Sequence, residues 1–232
     1  MESTYGMPPG GGNHPEWFTV GEAMTNTAEG STVDVFVNTT PICPNMTNAE
    51  FRQLMMRLRD DALKLINLRV LALSTLWAKE QARVKAYFGS TDEAMRQELV
   101  KKSNALSGVM NGLRPKNFIR PDPEAEKVLG CVPNINAPDG VVAHVCSPDT
   151  ATHTIAIHEK FCTLPQVTKS RRDSMQLTLV HECSHFEDTF ATVDYKSIYY
   201  GQFMAQRLAI EEPNMAMKNA DNIAWYVCSA DE

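Results

Sequence analysis

No apolar run in this 232-residue chain approaches the roughly 18 residues needed to cross a bilayer. The longest candidate, residues 65–77, is interrupted by Asn67 and Arg69. Basic charge is not in excess either. Lys and Arg number 22 against 28 Asp and Glu, a net charge of −6, which argues against nucleic acid or an anionic membrane as the main partner. Six cysteines are present without a CxxC pair, which argues against a cysteine-only zinc site and allows up to three disulfides. The first seventeen residues have no basic stretch followed by an apolar one, so no cleavable secretory signal is visible. There is no internal repeat, and a hydrophobic share of 43 % excludes collagenous, coiled-coil and fully disordered chains. The length fits one large domain with an appendage.

Three regions follow one another along the chain. Residues 1–46 are rich in Gly, Pro, Thr and Asn and read as a flexible leader or pro-segment. A short strand is expected at 32–37. Cys43 is read as structural, with thiolate blockade of a metal as the alternative. Thr47-x-x-Glu50 has the form of a capping box. It opens a helix whose apolar positions Phe51, Leu54, Met55, Leu58, Ala62, Leu65, Ile66 and Val70 recur at helical spacing as far as Phe88, where Gly89 stops it. A second helix opens at Ser90-x-x-Glu93 and closes at Gly112, so 47–112 reads as a helical hairpin serving as scaffold. Residues 113–232 change texture: short strands are expected at 141–145 and 152–158, a helix over 174–188, and helices over 199–211 and from Pro213 to Cys228. The order helices, strands, helices predicts an α+β fold in which 47–232 is one compact unit.

The chemistry-bearing segment is His181-Glu182-Cys183-Ser184-His185. On a helix, residues four apart share a face, so the two imidazoles can meet one metal ion, and two neutral imidazoles suit zinc. Glu182 then stands where a general base would take a proton from an attacking water, the arrangement used to hydrolyse peptide bonds. A third ligand is required. The pattern HExxHxxGxxH fails because residues 188 and 191 are Asp and Ala, leaving Asp194, Glu211 and Glu212 as carboxylate candidates. His14, His144, His153 and His158 are read as structural or surface residues.

The motif His181-Glu182-x-x-His185, followed by Ala191-Thr192-Val193-Asp194, Tyr200-Gly201 and Asn219-Ala220-Asp221, resembles the aspzincins. These are the deuterolysin and peptidyl-Lys metalloendopeptidase group, marked by HExxH with GTxDxxYG. The likeness covers residues 113–232, and Tyr87-Phe88-Gly89 is similar to bacterial-type members. It implies a zincin-like fold with His181, His185 and Asp194 as zinc ligands, Glu182 as general base, Tyr200 as the phenol that binds the oxyanion, and Asp221 as a substrate-binding residue for a basic, lysine-like side chain. Ala191 stands where the motif has glycine, five residues rather than two separate Asp194 from Tyr200, and Ala224 replaces an acidic residue of the lysine-specific members. Tyr195 and Tyr199 therefore rival Tyr200. The resemblance also implies a Zn2+ cofactor, a protein or peptide substrate, and export from the cell. The alternative is a non-hydrolytic metal-binding or secreted toxin module on the same fold.

Overall fold

A computed structural model of the chain describes residues 40–121, 140–169, 171–196 and 198–230. The strand expected at 32–37, His14 and Cys131 lie outside them. The compact unit begins at Pro41 rather than at Thr47. The reason is covalent and apolar: Cys43 is disulfide-bonded to Cys162 across 119 residues of sequence, and Ile42 and Met46 pack on the core. By the chain-entropy account, a closure of that length contributes about 4–5 kcal/mol. Cys43 therefore offers no thiolate to a metal. Cys146 is also disulfide-bonded, whereas Cys183 and Cys228 are free and buried.

Helix α1 (Asn48–Thr75) starts on the expected capping box. Thr47 Oγ1 accepts from the Glu50 amide at 3.2 Å, and the Thr47 amide donates to Glu50 Oε2 at 2.8 Å. Its inward stripe, Phe51, Leu54, Met55, Leu58, Ala62, Ile66, Arg69 and Leu73, packs along the buried Leu99, Ser103, Leu106, Val109 and Met110 of α3 (Glu93–Gly112). Asp92, not Ser90, caps α3, accepting from the Met95 amide at 2.7 Å.

The first helix does not run unbroken to Phe88. It turns at Leu76 (φ −120°, ψ 32°) and restarts as α2 (Trp77–Phe88). Thr75 Oγ1 bonds back to the Leu71 carbonyl at 2.9 Å, a contact that bends helices. Arg96 of α3 meanwhile donates to the Leu73 and Ser74 carbonyls. The elbow is held by an ion pair between Arg69 and Glu80 at 3.2 Å, with side chains 9 % and 6 % exposed. Glu80→Ala should cost about 3–5 kcal/mol, because it leaves a buried guanidinium without its carboxylate. A urea midpoint within error of wild type would show the elbow to be held by packing alone. The turn frees α2 to pack on α5 (Gln202–Glu211). There Gly89 (φ 72°) ends it so close to the Ala209 carbonyl that no Cβ fits.

The sheet is small: β1 (Phe118–Ile119), β2 (Ala143–Val145) and β3 (Ile155–Ile157) in the order β1-β3-β2, with β1 parallel and β2 antiparallel to the central β3. The sequence reading anticipated β2 and β3 but not the two-residue β1. Helix α4 (Met175–His185) starts at the N-cap Ser174, whose Oγ accepts from the Leu177 amide at 3.0 Å. It ends at His185 rather than at Asp188. The expected C-terminal helix is divided into α6 (Pro213–Ala216) and α7 (Ala220–Cys228), and every residue of α7 is buried. Helix α4 packs against α7, α1 and β2, and its residues 175–180 and 182–184 are buried while His181 and His185 are half-buried. This α+β arrangement, a helical scaffold and small sheet around the HExxH helix, sets the two imidazoles on the open side of that helix. No helix among the described residues is long and apolar enough to cross a membrane.

Candidate metal centre

His181 and His185 lie one turn apart on α4, and Asp194 arrives from the loop beyond it. One ligand atom from each falls within 4.8 Å of the others. His181 Nε2 is 3.1 Å and His185 Nε2 3.7 Å from Asp194 Oδ1. A tetrahedral zinc with bonds near 2.05 Å separates its ligand atoms by roughly 3.3 Å, and the two observed separations bracket that value. Two imidazoles and one carboxylate make up the three-residue donor set of a catalytic zinc.

Orientation of the rings comes from contacts behind them. His181 Nδ1 lies 2.7 Å from Asp221 Oδ1, and His185 Nδ1 lies 2.9 Å from the Thr192 carbonyl. Oxygens of these kinds accept, so each Nδ1 carries a proton and each Nε2 is the nitrogen turned toward the metal position. The return loop that supplies Thr192 and Asp194 is itself fixed. The Thr192 amide donates to Ser184 O at 3.1 Å, Thr192 Oγ1 and Ser184 Oγ lie 2.7 Å apart, and Ala191 N donates to Phe186 O at 3.1 Å. Ala191 adopts φ 53°, the left-handed region that glycine enters without steric cost. The motif glycine thus has a conformational purpose, which alanine meets here under strain. Asn219 Oδ1 accepts from the Tyr195 amide at 3.1 Å, and Val193 bridges Asn219 in a short parallel pairing.

Electrostatics follow the same layout. Burial pushes the Asp194 carboxyl up, but the hydrogen bond and charge of His181, then the charge of His185, bring it down to about 2. Burial opposes the charged form of His181, yet hydrogen bonds to Asp194 and Asp221 hold its titration well above the usual imidazole value. Glu182, 5 % exposed, is raised by burial and pulled partly back by the charges of His181, His185 and His144. The Tyr200 ring stacks on His181, 6.3 Å between centroids at 17°. Burial, then the Asp194 charge, drives its phenol well above the usual range, so it remains a donor.

The structure gathers the sequence candidates unevenly. His181, Glu182, His185, Asp194 and Tyr200 come together. The rivals are occupied elsewhere: Tyr199 donates to Glu211 and Tyr195 to Glu212, while Arg207 and Lys196 pair with the same two glutamates. Neither glutamate is in the metal cluster among the described residues. Asp221 corrects the expectation of a carboxylate open to substrate. It is 5 % exposed, with Oδ1 on His181 and Oδ2 accepting from the Gly201 amide, so both oxygens are engaged in holding the site. Three contributors are not among the site residues that the sequence pointed to. Thr192 holds His185 through its main-chain carbonyl at 2.9 Å, with its hydroxyl 3.2 Å from the same nitrogen. Asn222 donates to the Tyr87 and Ala205 carbonyls at 2.6 and 2.8 Å. His144 is 2.8 Å from His158 and its charge acts on Glu182.

Residues 74–228 match the aspzincin family, described as lysine-specific metallo-endopeptidase. Two relatives are peptidyl-Lys metalloendopeptidases. That of Armillaria mellea is 44 % identical over 61 residues, 26 % of this chain and 16 % of that protein. That of Grifola frondosa is 46 % identical over 54 residues, 23 % of this chain and 15 % of that protein. This chain thus matches about a sixth of the length of these curated relatives. The solved structure of a zinc peptidase from Grifola frondosa superposes with a TM-score of 0.57 over 77 % of this chain and 94 % of that one, at 22 % identity, a likeness of fold. With the family model matched over 155 residues, from 74 to 228, and its motif residues assembled at one centre, the chain belongs to the aspzincin metallopeptidase family.

Proposed function

We propose that the chain is a zinc-dependent endopeptidase that hydrolyses peptide bonds and favours a basic, lysine-like residue after the scissile bond. The observation that carries this reading is the convergence of His181 Nε2, His185 Nε2 and Asp194 Oδ1 beside the buried carboxyl of Glu182. A site that only binds metal has no use for that base. Zinc, held by those three residues, would supply Lewis-acid polarisation of a carbonyl and would acidify a water. Glu182 takes up the water's proton, aided by a carboxyl raised through burial, and passes it to the leaving amine. The Tyr200 hydroxyl donates to the oxygen on which negative charge develops. Asp221 and the Thr192 carbonyl keep the two imidazoles aimed, so no reorganisation is needed during the reaction. Disulfides at Cys43–Cys162 and at Cys146 support work in an oxidising compartment outside the producing cell.

The test is to load the purified chain with zinc, digest a denatured protein and sequence the fragments. About one zinc per chain, chelator-sensitive cleavage and lysine at the new N-termini are expected. A zinc-loaded chain that cuts nothing would instead favour the non-hydrolytic binding module. Cuts without regard to basic residues would remove the specificity while leaving the endopeptidase.

A further inference from the structure

Helix α4 ends on a residue of the candidate donor set. The last four carbonyls of a helix find no partner within it, and His185 is the last residue of α4, with Phe186 already at ψ 138°. Part of that end is satisfied by the loop that follows. Thr189 Oγ1 lies 2.8 Å from Cys183 O and 3.2 Å from Ser184 O, and the Thr192 amide donates to Ser184 O at 3.1 Å. The His185 carbonyl is met from another element altogether. Ser147, which follows β2 and lies 38 residues earlier in the chain, donates to it from Oγ at 2.6 Å. The Ser147 carbonyl in turn accepts from the Glu187 amide at 3.0 Å. One residue thus holds the main chain on both sides of the helix end.

The segment that carries Ser147 is itself fixed. Cys146 is disulfide-bonded, and its carbonyl accepts from the Asp149 amide at 2.9 Å. Asp149, a buried carboxylate, accepts from the Thr152 and Thr154 amides at 2.9 and 2.8 Å. Past that turn His153 (φ 49°) reaches the same helix end. Its Nε2 lies 2.9 Å from Asp188 Oδ2, and its ring meets Phe186 edge-on, 4.8 Å between centroids at 82°. Residues 147–153 therefore bear on each residue from His185 to Asp188. We propose that Ser147 is a positioning residue for His185, anchoring the main chain from which that imidazole is aimed at the metal position. The Thr192 carbonyl orients the ring, and Ser147 holds the backbone beneath it. His181 is placed differently, within the helix, where its carbonyl accepts from Ser184 Oγ at 2.6 Å. A working site must hold its geometry to within about 0.5 Å, and a terminal residue whose carbonyl loses its donor is free to fray.

This role rests on His185 being a zinc ligand, and one set of variants keeps the two apart. Wild type, Ser147→Ala, Ser147→Thr, Ser147→Val and His185→Ala are compared by three measurements. These are the zinc dissociation constant by chelator competition, the visible spectrum of the cobalt-substituted chain, and the Tm of the metal-free chain. Thr and Val match in shape and differ in the hydroxyl, so that pair decides the matter should Ser147→Ala fail to fold. Ser147→Ala and Ser147→Val should weaken zinc by about ten-fold and alter the cobalt spectrum, while Ser147→Thr should restore both. A role in stability alone would lower Tm and leave zinc affinity and spectrum at wild-type values. That result would overturn the assignment of Ser147, as would a Thr variant no better than the Val variant. Wild-type zinc affinity in His185→Ala would overturn the ligand reading itself, and the role of Ser147 with it.

Discussion

Glu182→Gln is expected to keep about one zinc per chain and lose activity by about 10²–10⁴-fold, the range contributed by a positioned general base. The substitution preserves volume on a helix whose flanking residues are buried against α7 and α1, so the fold has no reason to yield. It also leaves untouched the contacts that aim the two candidate metal-binding imidazoles, Asp221 on His181 and Thr192 O on His185. What disappears is a group that can hold a proton between water and leaving amine. An uncharged amide also removes a burial cost, since the carboxylate is raised by its surroundings. The variant should therefore be as stable as wild type or slightly more so. Metal analysis and steady-state kinetics on one preparation check this. Retention of more than a tenth of wild-type turnover at full zinc loading would remove Glu182 from the base role.

Asp194→Ala should fail differently. It takes away the oxygen that lies 3.1 and 3.7 Å from the two imidazole nitrogens, leaving two ligands where a catalytic zinc requires three. Zinc should fall well below stoichiometric after dialysis, and activity should drop by about 10³-fold or more, since metal-assisted catalysis goes with the ion. Glu211→Ala supplies the contrast. That carboxylate is tied to Arg207 at 2.7 Å and Tyr199 at 3.0 Å, so zinc content should stay at the wild-type level. Unchanged zinc in Asp194→Ala together with loss in Glu211→Ala would transfer the third-ligand role to the later helix.

Much of this centre is legible in the chain because its information is local. The Thr47–Glu50 capping box and the stripe from Phe51 to Ile66 need only a turn or two of helix to declare themselves, as do His181 and His185. The assignment of Asp194 came from motif likeness, since spacing alone left Glu211 and Glu212 open. What stayed hidden depends on partners far away in sequence. Asp221 looks like an available acid until His181, forty residues earlier, is placed against it. The bend at Leu76 has no Gly or Pro to announce it and depends on Arg96 and Glu80 arriving from other turns. Strand β1 is two residues long, too short for any alternation to register.

The Cys43–Cys162 bridge divides the chain topologically as well as bracing it. Between those cysteines the polypeptide is a closed covalent ring that contains α1, α2, α3 and all three strands. The candidate ligands His181, His185 and Asp194, with Glu182, Tyr200 and Asp221, all lie on the single arm that leaves the ring after Cys162. The two parts differ in what one proteolytic cut would do. A break anywhere within the ring leaves one covalently joined molecule with an intact donor set. A break in the short stretch between Cys162 and α4 would sever the covalent connection to the arm, leaving it held only by noncovalent packing, that of α4 and α7 on α1 included.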